Sequence, residues 1–327
     1  MSSSSQTVID KTPSTPLLAL ITRHRVFVAA IFLLVLPILM PFEALAVNIL
    51  IYGLYALGFN LLFGYLGLLS FGHAALFGGG AYLCGIALVH FGVPWFVAIG
   101  FGVVGGAAIA LVIGLLAIRT RGIYFSMVTL ALAQCFYYLF YQASNWTGGE
   151  NGLRGVNVKV INLFGLKLDF VHPLTRYYVV AAFVILALYL LSRILASPFG
   201  ATIEAIRENE ARAQACGYNV AATRLLTFVL SGGFCGLAGA LQAIHLSIVP
   251  IETMHYETSG LAVMMCLLGG MGTFFGPFIG AAVFLLLENL VSVWTIHWQL
   301  VVGAVFMICV LFFPRGIWGS LLHWSKK

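Results

Sequence analysis

The sequence predicts an all-α, polytopic transmembrane helical bundle, and three observations carry that prediction. Hydrophobic residues make up 61% of the 327-residue chain and charged residues 8%. With a mean hydropathy of +1.04, this composition lies outside the range of soluble domains. The apolar runs reach the roughly 20 residues a helix needs to cross a bilayer, and they lack the every-second-residue alternation of a membrane barrel strand.

Hydropathy, punctuated by Gly, Pro and charge, gives about ten spans, in a range of eight to ten. They lie at 26–41, 44–64, 67–91, 95–118, 123–142, 176–196, 221–244, 258–271, 276–294 and 298–314. Residues 1–25 are a polar, Ser-rich tail ending in Arg23-His-Arg25. No small-residue cleavage signal follows Val26 to Met40, so the first span is read as retained. Residues 26–320 form the transmembrane domain, with a loop at 197–220, and 321–327 form a short tail. With both termini in the cytoplasm, twelve Lys and Arg lie inside. Only Arg154, Lys159, Lys167 and Arg176 lie outside, as the positive-inside bias requires. That bias also accounts for the pI near 9.1 without nucleic acid as a partner; the partner of the apolar surface is the lipid bilayer.

The span at 258–271 is short and runs into Gly269-Gly-Met-Gly-Thr-Phe-Phe-Gly276. It reads as a broken or re-entrant segment near 258–276, in which Gly270 and Gly272 are candidate pathway residues, or as an ordinary surface loop. Irregular backbone at membrane depth is tolerated only where protein buries it or water reaches it. Ser70-Phe-Gly-His-Ala-Ala-Leu-Phe-Gly-Gly-Gly80 has a similar small and aromatic texture to Thr273-Phe-Phe-Gly-Pro-Phe-Ile-Gly-Ala-Ala282, which suggests an internal repeat of the kind found in transporters. The pairs Gly102/Gly106, Ala110/Gly114, Gly232/Gly236 and Gly276/Gly280 predict close helix packing.

Much chemistry is missing. No GxxxxGK[ST] loop, HExxH or GxSxG motif is present, so nucleotide binding by a phosphate loop, zinc protease and esterase functions are excluded. The six cysteines have no paired spacing, and neither a disulfide framework nor a metal site is implied. Ionisable residues at membrane depth are costly, about 3 kcal/mol or more, and mark ion-coupled carriers. Here Glu288 and His73 are the candidates, each with a structural hydrogen bond as the plainer reading. A passive channel or ion-coupled carrier acting alone is therefore disfavoured.

One polar island interrupts the apolar chain. Six of the 26 acidic and basic residues fall between Arg193 and Arg212. Ser197 before Pro198 predicts a helix N-terminus, Asn209 caps a second short helix from Glu210, and Gly217 ends it. Two short helices make a charged knob in which Glu204, Arg207, Glu208 and Glu210 orient a docking partner and Ile203 and Ile206 anchor it. On the outer side, Thr147, Gly148, Gly149, Asn151 and Gly152 form either a gate whose backbone amides approach a carboxylate or a tight turn.

The island and the following Arg224-Leu-Leu-Thr-Phe-Val-Leu-Ser-Gly-Gly-Phe-Cys-Gly-Leu-Ala-Gly-Ala-Leu241 resemble the coupling loop and next helix of LivM-type permeases. Gly67-Leu-Leu-Ser-Phe-Gly-His73, Thr147-Gly-Gly-Glu-Asn-Gly-Leu153, Leu268-Gly-Gly-Met-Gly-Thr-Phe-Phe-Gly-Pro277 and Phe313-Pro-Arg-Gly316 extend the resemblance over about residues 45 to 320. These are membrane subunits of ATP-binding-cassette importers for branched-chain amino acids. Glu210-Ala-Arg-Ala-Gln-Ala-Cys-Gly217 puts its glycine seven residues after the glutamate rather than six, similar to the variant form the family carries.

The resemblance implies a non-enzymatic, multi-pass subunit of the bacterial inner membrane for leucine, isoleucine and valine. Its implied partners are a homologous second permease subunit, two ABC ATPase subunits and a periplasmic substrate-binding protein. No cofactor is bound by this chain; ATP and Mg are used by the partners. The coupling residues implied are Ile203, Glu204, Ile206, Arg207, Glu208, Asn209, Glu210 and Gly217. Ser70, Gly72 and His73 join the outer loop and Gly270 and Gly272 as pathway candidates. A related importer for urea or short amides shares the pattern. A 10,000-fold gradient takes about 5.5 kcal/mol, and that work must enter through an interface.

Overall fold

The computed structural model describes Phe27, Leu33, Pro37 and residues 43–156, 160–163, 166–169, 172–295, 297–312 and 316–324. The 1–25 tail, most of the 26–41 span, residues 313–315 of the Phe313-Pro-Arg-Gly316 motif and residues 325–327 lie outside them. Six described helices are long and apolar enough to cross a membrane. The chain is thus a multi-pass helical membrane protein.

The helices are α1 (Glu43–Asn60, prolonged by a π-turn at Leu61–Leu66), α2 (His73–Val89), α3 (Trp95–Ala117), α4 (Ile123–Gln142) and the one-turn α5 (Ser144–Thr147). Next come α6 (Pro173–Leu195), the knob helices α7 (Pro198–Glu208) and α8 (Glu210–Ala215), and α9 (Val220–Leu246). The last are α10 (Tyr256–Gly269), α11 (Gly276–Trp294), α12 (Trp298–Phe312) and α13 (Gly316–Trp324). Proline sits in the first turn of α6, α7 and α11, where its missing N–H costs nothing. Asn219 opens α9 by accepting a 3.0 Å bond from the Ala222 amide.

Two predicted spans differ from the observed helices. The span at 67–91 becomes helical only at His73. Residues 67–72 are held against α4 instead: Ser126 Oγ donates to Leu69 O (2.7 Å) and the Phe71 amide to Thr129 Oγ1 (3.2 Å). Helix α10 has 14 residues, about 21 Å at 1.5 Å per residue, too short to span. Its irregular part lies on both sides. Besides the expected break at 270–275, residues 247–255 run as β4 (Ile248–Val249) and a 3-10 turn, Ile251–Met254. Met254 is fully buried against Gly78 of α2.

Two strand pairs were not expected. In the outer loop β2 (Val160–Leu163) pairs antiparallel with β3 (Leu166–Asp169), and β1 (Leu153–Arg154) pairs with β4, Leu153 opposite Val249. The alternating Leu166-Lys-Leu-Asp169 was the available signal for the first.

The core is the packing of α9 on α1, α2 and α3. A Cβ on Gly236 of α9 would stand 2.5 Å from the Gly102 carbonyl oxygen of α3, and one on Gly80 of α2 2.5 Å from the Gly236 Cα. The carbonyl of Gly232 abuts Gly106, and Phe77 O abuts Gly239. Gly102 and Gly106 of α3 therefore face Gly232 and Gly236 of α9 backbone on backbone, Ala110 meets Gly232 through its Cβ, and Gly114 packs on the Leu225 and Phe228 side chains. Gly276 and Gly280 pack in the same way on the end of α10.

Gly236→Val places methyl groups where backbone stands, and overpacking of this kind costs about 1–3 kcal/mol or more. Gly100, whose Cβ would meet nothing within 4 Å, is the control. Thermal denaturation in detergent is expected to show a clearly lowered midpoint for Gly236→Val and an unchanged one for Gly100→Ala.

Candidate coupling knob and membrane-depth junctions

Helices α7 and α8 form the knob that the polar island predicts. Ser197 occupies the N-cap with Pro198 at N1, but its hydroxyl turns back and donates to Ile194 O (2.6 Å) rather than capping an amide. Asn209 caps α8 as expected, accepting from the Arg212 amide at 3.0 Å. Gly217 follows with φ +89, a conformation glycine adopts without a Cβ penalty.

The apolar positions of the knob serve a different purpose from the one expected. Ile203 and Ile206 are buried, as is Ala213; α7 packs on the π-turn of α1 and on α6 and α9. These side chains hold the knob to the chain's own bundle, so they are not available as anchors for a partner. Glu210 is also engaged at home. Arg224 of α9, 12% exposed, donates to it at 2.6 Å, and Arg121 approaches at 3.4 Å. The Arg224 pair, sheltered and short, outweighs the exposed Arg121 pair. The open face carries Glu204, Ala205, Arg207, Glu208, Asn209, Ala211, Arg212 and Gly217.

Arg207 is exposed, but its side chain lies along the bundle surface. A Cβ on Gly67, which ends the π-turn at φ +82, would lie 3.2 Å from Arg207 Cγ. One on Gly272 (φ +71) would lie 3.0 Å from Arg207 Nη1 and 3.1 Å from Gly64 O. The arginine thus rests across the two places where the membrane helices are interrupted. Asn60, at the end of α1, ties them together: its amide nitrogen donates to Thr273 O and its oxygen accepts from the Gly272 amide, both at 3.0 Å. Thr273 Oγ1 donates to Gly270 O (2.8 Å) and accepts from the Gly276 amide (3.2 Å), opening α11. Gly270 is buried and Gly272 half-buried, so protein packs around this break.

A second junction joins α2, α4, α9 and α10. His73, fully buried, lies 2.9 Å by Nε2 from Ser231 Oγ. Ser231 Oγ donates to Gly58 O at 2.6 Å, and His73 Nδ1 faces Ser70 O at 3.3 Å. Ser70 Oγ accepts from the Gly72 amide (3.1 Å). Ser259 of α10 accepts from the Ala74 amide and donates to Phe71 O, both at 2.8 Å. His73, Ser70 and Gly72 are hydrogen-bonded within the bundle, which is the plainer of the two readings for His73. The two similar segments also start their helices alike, with a hydroxyl, Ser70 or Thr273, receiving an amide near the first turn. Glu288 is half-buried on α11.

The outer loop is stapled rather than free. Thr147, buried, donates to Phe140 O (2.6 Å) and accepts from the Gly149 amide (3.3 Å). Gly148, Gly149 and Gly152 all have positive φ. A Cβ on Gly152 would stand 2.5 Å from Val249 O; Asn151 is exposed. The loop therefore clips onto the segment leading into α10, an arrangement that fits the tight-turn reading.

Sequence reasoning missed Asn60, Arg224, Ser231 and Ser259 as organisers. Asn60 and the two serines were visible only as isolated polar residues in apolar runs, the default sign of a special site in a membrane helix.

A polytopic bundle with a bundle-mounted polar knob and interrupted helices fits a membrane permease. Residues 42–311 match the family model described as branched-chain amino acid transport system / permease component, and the chain belongs to that family. It is 27% identical over 320 residues to the high-affinity branched-chain amino acid transport system permease protein LivM of Escherichia coli, covering 90% of this chain and 75% of that one. Shorter matches include the probable branched-chain amino acid transport permease protein LivH of Methanocaldococcus jannaschii, 30% identical over 45% of this chain and 48% of that one. Another is the autoinducer 2 import system permease protein LsrC of Klebsiella pneumoniae, 34% identical over 42% of this chain and 39% of that one. No solved structure matches significantly.

Asn60→Leu leaves the Gly272 amide and Thr273 carbonyl without partners. Burying such groups unpaired costs about 1–3 kcal/mol each. The variant is expected to denature at lower temperature than the parent and to expose Met271 to faster oxidation, read by mass spectrometry.

Proposed function

We propose that this chain is the permease subunit of an importer that carries leucine, isoleucine and valine inward. It pairs with a second, homologous permease. Two ATPase subunits bind the knobs and supply the work of ATP and Mg, and a periplasmic binding protein delivers solute. The chain itself binds no cofactor and has no catalytic residue.

The observation that carries this reading is the two-sided knob. Its apolar side, Ile203 and Ile206, is locked into the bundle, so force applied to the polar side passes to the membrane helices. Arg207 reaches both helix interruptions, and the Glu210–Arg224 pair joins α8 to α9. Docking charges on the open side are then Glu204, Arg207, Glu208 and Arg212, with Asn209 and Gly217 shaping the knob. Charged contacts at such a rim set register and partner choice. The family and the relative matched along most of its length support the amino-acid substrate; the match to an autoinducer permease covers less than half of the chain.

Two variants separate docking from attachment. Glu204→Lys combined with Glu208→Lys is expected to fold normally and to lose at least tenfold in ATPase co-purification and leucine uptake. Ile203→Asp is expected to lower the yield of folded permease, because a charge enters its own core. Full co-purification with the double charge reversal would refute the assigned face. Radiolabelled leucine uptake by the complete complex in liposomes, compared with urea and ribose, tests the substrate.

A further inference from the structure

Of the six described helices long and apolar enough to cross a membrane, α4 is both the least apolar and the least covered. Only 22% of it is buried inside the chain, against 83% of the Ala44–Leu66 span and 72% of α9. Its inward side is a single line of buried residues, Ser126, Thr129, Ala133 and Phe140. Ser126 and Thr129 fasten it to residues 69 and 71.

Two positions from each of these runs an exposed stripe: Tyr124, Met127, Ala131, Cys135, Tyr138 and Gln142. Spacings of three and four place all six on one face of the helix, opposite the buried line. Met127 and Tyr138 are 65% and 61% exposed. Between them the small side chains of Ala131 and Cys135 leave a shallow notch.

The exposed face of α3 is built differently. It shows Phe101, Val104, Leu111, Val112 and Leu115, large and apolar throughout, as a surface against acyl chains should be. Small residues four apart serve instead to let a second helix backbone approach. Gly102/Gly106, Gly232/Gly236 and Gly276/Gly280 are filled by helices of this same chain, whereas Ala131 and Cys135 stand open. The stripe also carries two tyrosine hydroxyls and the Gln142 carboxamide, groups that protein can answer and acyl chains cannot.

We propose that this stripe is the surface on which the second permease docks, with the equivalent helix of that subunit crossing α4 at Ala131 and Cys135. Subunits related by a two-fold axis present the same patch to each other, and a homologous pair approximates that arrangement. Met127 and Tyr138 flank the crossing, and α4 is left bare by its own chain because the other subunit covers it. The proposal rests on the importer reading above, which supplies the partner.

The test uses the complete importer in its membrane, with Met127 or Tyr138 replaced by photoreactive p-benzoylphenylalanine and the adducts identified by mass spectrometry. Both positions are expected to cross-link to a peptide of the second permease. The same photoreactive residue in place of Val104 or Leu186, exposed on α3 and α6, is expected to give lipid adducts alone. Ala131→Phe, which fills the notch, is expected to lower recovery of the second permease at least tenfold. Ala131→Gly and Val104→Phe are expected to retain it.

Adducts from Met127 and Tyr138 to lipid alone, or to a second copy of this chain, would overturn the assigned occupant. So would cross-links to the second permease from α3 or α6 only, or full assembly of the Ala131→Phe variant. An importer that contains no second permease would remove the importer reading and the proposal together, and its subunit composition distinguishes that failure from the others.

Discussion

The close approach of α9 to α2 and α3 is the constraint on which the rest depends. Gly80, Gly102, Gly106 and Gly236 bring three helix backbones into direct contact. In a bilayer, where lipid is as apolar as leucine, such packing rather than hydrophobicity draws helices together. It also fixes α9 as a shaft. Ser231 reaches Gly58 O of α1 and the His73 imidazole, Cys235 lies against the Tyr55 carbonyl, and Arg224 holds Glu210 of the knob.

That shaft explains why the polar groups are where they are. Membrane helices that stop short leave amides and carbonyls to be satisfied inside protein. At one junction Ser259 and Thr129 serve residues 67–74; at the other Asn60 and Thr273 serve residues 270–276. Both breaks border Arg207. The knob, the end of α1 and the turn between α10 and α11 thus meet along the Arg207 side chain.

Much of this was legible in the sequence and some of it was not, for identifiable reasons. Helix limits such as 123–142 and 276–294 followed directly from Gly, Pro and charge, because a bilayer imposes a length that the chain must match. Asn209, Pro198 and Gly217 marked the knob because caps act within a few residues. The inward turn of Ile203 and Ile206 escaped, since a helix with one apolar stripe reads the same whether its own bundle or a partner covers it. The partners of Asn60 and Ser231 escaped as well: bonds across 212 and 173 residues leave no local trace. The short start of α2 was hidden because Gly67-Leu-Leu-Ser-Phe-Gly72 is as apolar as the helix it precedes.

Asn60 also bears on how the chain is made. The residues it binds are synthesised up to 213 positions later, which at 5–20 residues per second is about 10–40 s. For that interval a carboxamide shaped for the α10–α11 turn waits near the end of a helix already inserted in the membrane. The last third of the polypeptide then closes onto a template laid down by the first.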